Sequence, residues 1–368
     1  MIKIVEVIQE LESWAPLVLQ ESYDNAGLLT GHRQQICTGV LCCLDVTEPI
    51  LDEALNRGCN LIVAHHPLIF GGVKKLSGDS GLERTLIKAI KKDLAIYAIH
   101  TNLDNVSSGV NGKIASLLKL RHTRVLLPKE GSLQKLITYA PLAHAEQVRQ
   151  ALFEAGAGQI GGYSDCSFSA EGEGTFKAGA GTQPFAGTLG ERHTEKEKRI
   201  EVIYPSYLQA SLLHALKRAH PYEEVAYDLI PLVNSHQELG AGLVGELEHP
   251  VDERSFLQNL AQVFGAGQLR HSALLGKPIQ RVALCGGAGS FLISKALYAG
   301  ADLFLTADLK YHDFFLADNK LVLADIGHFE SEQFTIELIA DRLAEKFLNF
   351  AVLKTSISTN PVNYLWHK

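Results

Sequence analysis

Three things are missing from this sequence: an apolar run long enough to span a bilayer, a C-x-x-C pair, and a cluster of basic residues. The first absence argues against a membrane-spanning helix. The opening stretch, Met1 to Trp14, also carries acids where a secretory signal peptide needs a basic head and an apolar run, so a cytoplasmic location is expected. The second absence bears on Cys37, Cys42, Cys43, Cys59, Cys166 and Cys285, several of which stand in apolar strand-like runs. Buried, reduced thiols are expected there rather than disulfides or a cysteine–zinc knot. The third absence, with a formal net charge of -7, removes the basic face that nucleic acid would need, so neither nucleic acid nor membrane is an expected partner.

What is present is a plan used twice. The 368 residues suggest two or three domains. Val40–Asp45 is a short apolar run read as a strand, Pro49–Arg57 has helical spacing, Gly58 stops that helix, and Asn60–Ala64 is a second buried strand. The same order returns as the strand Arg281–Cys285, the helix Phe291–Ala299, the stop Gly300 and the strand Asp302–Thr306. A third unit recurs as well. Leu94–Ile99 leads into His100 with Asp104 four residues on, and Leu321–Ile326 leads through Gly327 into His328 with Glu332 four residues on. Strands alternating with helices predict a mostly parallel sheet covered on both faces, hence a three-layer, pseudo-symmetric α/β core. Between the halves, strand–Pro–helix–strand occurs twice, in Lys135–Pro141 with His144–Ala155, and in Arg199–Pro205 with Leu208–Ala219 and Val225–Ile230. That is the pattern of an inserted ferredoxin-like α+β domain. The expected division is a core of residues 1–128 plus 235–368 and an insert of 129–234, with hairpins and loops in the glycine-rich stretch 156–190.

The chemistry-bearing residues fall at the ends of these strands, where ligands of parallel sheets gather. His65 and His66 follow a buried strand and precede Pro67, which forbids a further ladder bond, so both rings can turn into one cavity. His328 and Glu332 share one helix face. Asp104 could bridge two cations through its two oxygens. Taken singly, each has an ordinary explanation: a strand-end polar cap, a solvated helix terminus, an Asp/Asn turn. Together they place imidazoles and carboxylates from three segments at one location and predict a two-metal site of His65, His66, Asp104, His328 and Glu332. Without thiolates, such a set suits zinc first, with iron, manganese or nickel as alternatives. His100 is a candidate proton shuttle or else a strand-end histidine bonded to backbone. Asp45 and Asp308 are expected behind the ligands or as helix caps. The loop Gly286–Ser290 is read either as a phosphate cradle lacking a P-loop lysine or as a tight turn. Tyr23, Asp24 and Asn25 form a flap or a turn.

These motifs, His-His-Pro-Leu-Ile-Phe from His65, His-Thr-Asn-Leu-Asp from His100 and Gly-His-Phe-Glu-Ser-Glu from Gly327, resemble those of the GTP cyclohydrolase I type 2 family, also known as Nif-three-like proteins. Tyr23–Leu28 and Cys285–Ser290 match as well, and the resemblance covers the whole chain. It implies metal ligation by His65, His66, Asp104, His328 and Glu332. It implies a CutA- or PII-like insert, signalled by His220-Pro221-Tyr222-Glu223-Glu224, in which the last three residues serve packing or an interface. It further implies assembly as a toroidal homohexamer. The resulting functional expectation is a metal-dependent hydrolase acting on a nucleotide or related small molecule. The competing expectation is a ring-shaped, metal-binding regulatory protein without robust catalysis.

Overall fold

The computed structural model describes residues 1–365, which form two compact units: 1–127 with 238–365, and 128–237. Among the described residues, no helix is long and apolar enough to cross a membrane. The segment Ile4–Trp14 is an amphipathic helix instead, burying Ile4, Val7, Ile8 and Leu11 along one stripe.

The first unit holds two sheets. One has five strands in the spatial order Gly27–Thr30, Ala95–Ala98, Leu61–Ala64, Val40–Cys43 and Val352–Lys354. All neighbours in it run parallel except Gly27–Thr30, which pairs antiparallel with Ala95–Ala98 at the edge. Its three central strands are buried at every residue, which is why they read as unbroken apolar runs rather than as alternating ones. The other sheet has the order Arg270–His271, Val322–Asp325, Leu303–Ala307, Ile279–Ala288, Gly240–Val251 and Arg121–Pro128. Here only Val322–Asp325, Leu303–Ala307 and Ile279–Ala288 are mutually parallel, while Arg270–His271 and Gly240–Val251 join antiparallel. Each sheet therefore contains three parallel strands consecutive in the chain; the first is mostly parallel as expected, whereas the second is extended by antiparallel strands that the expectation did not include. The helices between strands pack on them through apolar faces. Glu48–Asn56 buries Ile50, Leu51 and Ala54 against Leu41, Ile62 and Ile96. In the second sheet, Leu292, Ile293 and Ala296 meet Ala283, Phe304 and Leu323.

The second unit is a four-stranded antiparallel sheet, ordered Ser167–Lys177, Arg192–Pro205, Leu133–Pro141 and Tyr227–Pro231. Its helices Ala145–Glu154 and Gln209–Ala219 bury Val148, Leu152, Leu212 and Leu216 with Leu136, Ile200, Val202 and Tyr204 in a core of its own. His220 bonds the Tyr139 carbonyl at 2.9 Å and the Tyr222 hydroxyl donates to Glu197 at 2.8 Å, so this motif braces a strand edge. All six cysteines are free; five are buried and Cys166 is partly exposed.

Candidate metal centre

Both groups of three parallel strands deliver their polar residues just past their C-terminal ends. His65 and His66 still donate their amides to the neighbouring strand, to the Cys43 and Leu44 carbonyls at 3.1 and 2.9 Å. Regular alternation would send their side chains to opposite faces, yet their ring centroids lie 5.0 Å apart. The strand ends there, and both rings turn into one cavity.

Each imidazole is aimed by a bond from its Nδ1. His65 is wholly buried and its Nδ1–H donates to the Ile99 carbonyl at 2.9 Å. His66 Nδ1 bonds Asp45 at 2.8 Å, His328 Nδ1 bonds Asp308 at 2.7 Å, and His100 Nδ1 bonds Asp24 at 2.8 Å. A carboxylate behind an imidazole fixes its tautomer and orientation and frees Nε2 as a donor to a metal. Asp45 and Asp308 thus do what was expected of them. The role of Asp24 was not legible. It also accepts from the Thr101 amide at 3.0 Å and from the Thr101 hydroxyl, fastening the loop before the edge strand to the short helix Thr101–Asp104.

The freed nitrogens converge on two carboxylates. His66 Nε2 and His328 Nε2 lie 2.9 and 3.0 Å from Glu332 Oε2 and 3.3 Å from each other. His65 Nε2 lies 3.7 Å from Asp104 Oδ1 and 3.8 Å from Glu332 Oε1. All five residues read from the sequence as ligands are therefore brought together, with Glu332 facing histidines from both sheets. Glu332 reaches this point because it sits one helical turn after His328 and because the chain opposite it has no side chain. A Cβ on Gly287, where φ is +62°, would lie 2.3 Å from Glu332 Oε1. The glycine loop is a floor beneath a carboxylate, and its first two amides are already used. Gly286 N–H donates to Asn111 and Gly287 N–H to Ser331, at 3.0 and 2.9 Å. That geometry selects the tight-turn reading of Gly286–Ser290 over the phosphate cradle.

The electrostatics are those of buried donors crowded together. Burial alone would raise Glu332, but the imidazoles of His328, His65 and His66 hold it well below the usual carboxylate range. Burial and the neighbouring Glu332 push Asp104 well above that range. Burial opposes charge on His66 and His328, yet bonds to Asp45, Asp308 and Glu332 prevail and raise them to about 9 and about 11. His65, which lacks a carboxylate behind it, is lowered by its burial.

Two atoms in the centre have no protein partner: His65 Nε2 and Asp104 Oδ1 are buried and unbonded although they face each other. Orphaned buried polar atoms are costly and call for an occupant. The donors form two overlapping groups able to hold a metal ion, His65 with His66 and His100, and His66 with His328 and Glu332. Imidazole and carboxylate donors without thiolate fit a borderline divalent cation. On the side of His66 and His328, the centre opens into a cavity of about 440 Å³. One wall of that cavity is formed by Asn360, Pro361, Val362 and Tyr364 near the C-terminus, which no local sequence pattern announces. Just before them, the Thr359 hydroxyl donates to Asp45 Oδ2 at 2.7 Å, and Asn360 donates to Glu330 at 3.1 Å.

Comparison with known proteins places this arrangement in context. The profile of Duf34/NIF3 (NGG1p interacting factor 3) matches residues 2–361. A Halalkalibacterium halodurans protein described as a GTP cyclohydrolase 1 type 2 homolog is 39% identical over 365 residues, covering 98% of each chain. The Bacillus subtilis protein of the same description is 36% identical, again over 98% of each chain. Among solved structures, a Bacillus cereus protein related to NIF3 superposes with a TM-score of 0.86 at 36% identity, over 99% of both chains.

Proposed function

The chain belongs to the Duf34/NIF3 family, and from that footing we propose that it is a metal-dependent hydrolase of a nucleotide or related small molecule, built around two divalent ions. The observation that carries this reading is the pair of orphaned, buried donor atoms, His65 Nε2 and Asp104 Oδ1, beside three carboxylate-backed imidazoles and an open cavity. His65, Asp104, His66, His328 and Glu332 hold the ions, with zinc the first choice. Divalent ions held there supply Lewis acidity and make water a competent nucleophile at neutral pH. The chain's own residues do the rest. Asp45 and Asp308 fix two imidazoles so that their rings need no reorientation to present Nε2 to an ion, and Glu332 faces histidines from both sheets. His100, with its Nδ1 held by Asp24, lies with its ring centroid 5.3 Å from those of His65 and His66, and in this reading it carries a proton to or from the centre.

In the same reading the two groups of parallel strands form a pseudo-symmetric core with the site between its halves. The second unit is a ferredoxin-like insert, and the protein works in the cytoplasm as a toroidal homohexamer. The test is elemental analysis of protein purified without chelator, run beside turnover assays on nucleotides and phosphoesters for wild type, His65→Ala and Glu332→Ala. Two ions per chain, with activity lost in both variants, supports the reading. Full metal content without turnover of any substrate favours the regulatory role, and turnover surviving both substitutions removes the site from the chemistry.

A further inference from the structure

The cavity beside the metal centre carries a statement about what can enter it, resting on the hydrolase reading above. Its rim and floor hold four carboxylates, Asp45, Asp308, Asp325 and Glu330. Against them stand the imidazoles of His66 and His328, each held by a carboxylate, and one guanidinium, that of Arg270. The guanidinium bonds Asp325 and the Leu309 carbonyl and lies 5.6 Å over the ring of Phe314. Among the described residues, no lysine lines the cavity. The loop that might have cradled phosphate, Gly286–Ser290, has its first two amides bonded to Asn111 and Ser331 and does not border the space. Divalent ions would add positive charge only at the His66–His328 end, where Glu332 already faces it. Away from the metal end, a polyphosphate chain would therefore lie along four carboxylates with a single guanidinium, already paired with Asp325, to balance its charge.

The remaining lining is suited to a different ligand. Phe329, Val362 and Tyr364 offer apolar and aromatic surface, the last from the C-terminal tail. Gln268 and Asn360 supply amides, and the part-exposed carboxylates of Asp45 and Asp308 accept hydrogen bonds. The volume of about 440 Å³ lies within the range of small-molecule sites. We propose that this cavity binds an uncharged, flat, amino-bearing heterocycle, a nucleobase or its nucleoside, against Tyr364 and Phe329, and disfavours the corresponding polyphosphate.

The test is binding, not turnover. Zinc-loaded full-length protein is titrated by ligand-observed NMR with adenosine, guanosine, ATP, GTP and inorganic triphosphate. Like charge along the wall predicts that at least one nucleoside binds about tenfold more tightly than its triphosphate, and that inorganic triphosphate does not displace it. Tyr364→Ala is expected to weaken the nucleoside about fivefold while Tyr364→Phe retains it, as loss of an aromatic contact would. Glu330→Gln is expected to narrow the gap between nucleoside and triphosphate. Equal or tighter triphosphate binding, no binding by any of the five probes, or indifference to Tyr364→Ala would overturn the proposal. Metal content and hydrolysis are measured on the same samples. Nucleoside preference without turnover keeps the pocket and removes the hydrolase, whereas turnover with no nucleoside preference does the reverse.

Discussion

The two sheets of the first unit arm the centre differently. In the first, Asp45 follows the strand Val40–Cys43 and bonds the histidine beyond the next strand, His66, so carboxylate and imidazole come from strands one and two of the parallel set. In the second, Asp308 follows Leu303–Ala307 and bonds His328 beyond Val322–Asp325, which are strands two and three. The first half does have a histidine after its third strand, His100, but its carboxylate, Asp24, comes from the loop before the antiparallel edge strand. The halves also differ in exposure. The side chains of His65 and His66 are 0% and 19% exposed, against 40% for His328. What repeats is a device, a parallel strand end that presents an imidazole with an acid behind it. Which strand supplies the acid is not repeated, and the first half's His65 and His66 are more enclosed than the second half's His328.

The sharpest way to break this comparison is to remove what both halves share. Glu332→Gln should abolish retention of metal, read as metal content after gel filtration in chelator, because one carboxylate serves imidazoles from both sheets. Removing the acid behind one imidazole should act on one half. Asp45→Asn and Asp308→Asn should each cost about 10–100-fold in metal affinity by chelator competition, with the more enclosed Asp45 at the upper end. Equal losses would show that exposure does not matter.

The third imidazole–acid pair gives a pH signature. Burial would raise Asp24, but its bonds to His100 and Thr101 lower it to about 2. A depressed carboxylate stabilises the fold above its unfolded pKa, and that contribution disappears as pH falls from about 4 through 2. Asp24→Asn should therefore be less stable than wild type by about 2 kcal/mol at neutral pH, with the difference in denaturation free energy closing below pH of about 3. A gap independent of pH would mean that Asp24 matters only as packing. The smallest effect belongs to Thr359→Val, which removes the bond to Asp45 and should lower metal affinity a few-fold, about 1 kcal/mol, while Asp308→Asn in that background should add its full cost.

Much of this was legible in the sequence because parallel strands leave unbroken apolar runs and their C-terminal ends leave polar punctuation. His65, His66, Asp104, His328 and Glu332 were readable on that ground, and the i, i+4 spacing of His328 and Glu332 gave their common face. The antiparallel strands Gly27–Thr30 and Gly240–Val251 were not, since short or half-polar segments carry no distinctive period. Asp24 and Thr359 were invisible for another reason. Each acts on a residue 76 or 314 positions away, and no local pattern encodes such a pairing. The role of the glycines was ambiguous because a turn that receives phosphate and one that makes room for a carboxylate need the same missing side chain.

The strands Arg121–Pro128 and Gly240–Val251 are neighbours in one sheet. Gly242 lies against Leu126, Gly245 against Thr123, and Arg121 pairs with Glu248 at 3.0 Å, so the two run in opposite directions. The whole of 128–237 is thus spliced into what would otherwise be the tip of an ordinary hairpin. Lengthening or shortening such a tip costs little closure entropy. A version of the protein in which a short turn replaces those residues should keep its sheet and its metal ligands, which makes the excision a clean way to ask what the spliced segment contributes.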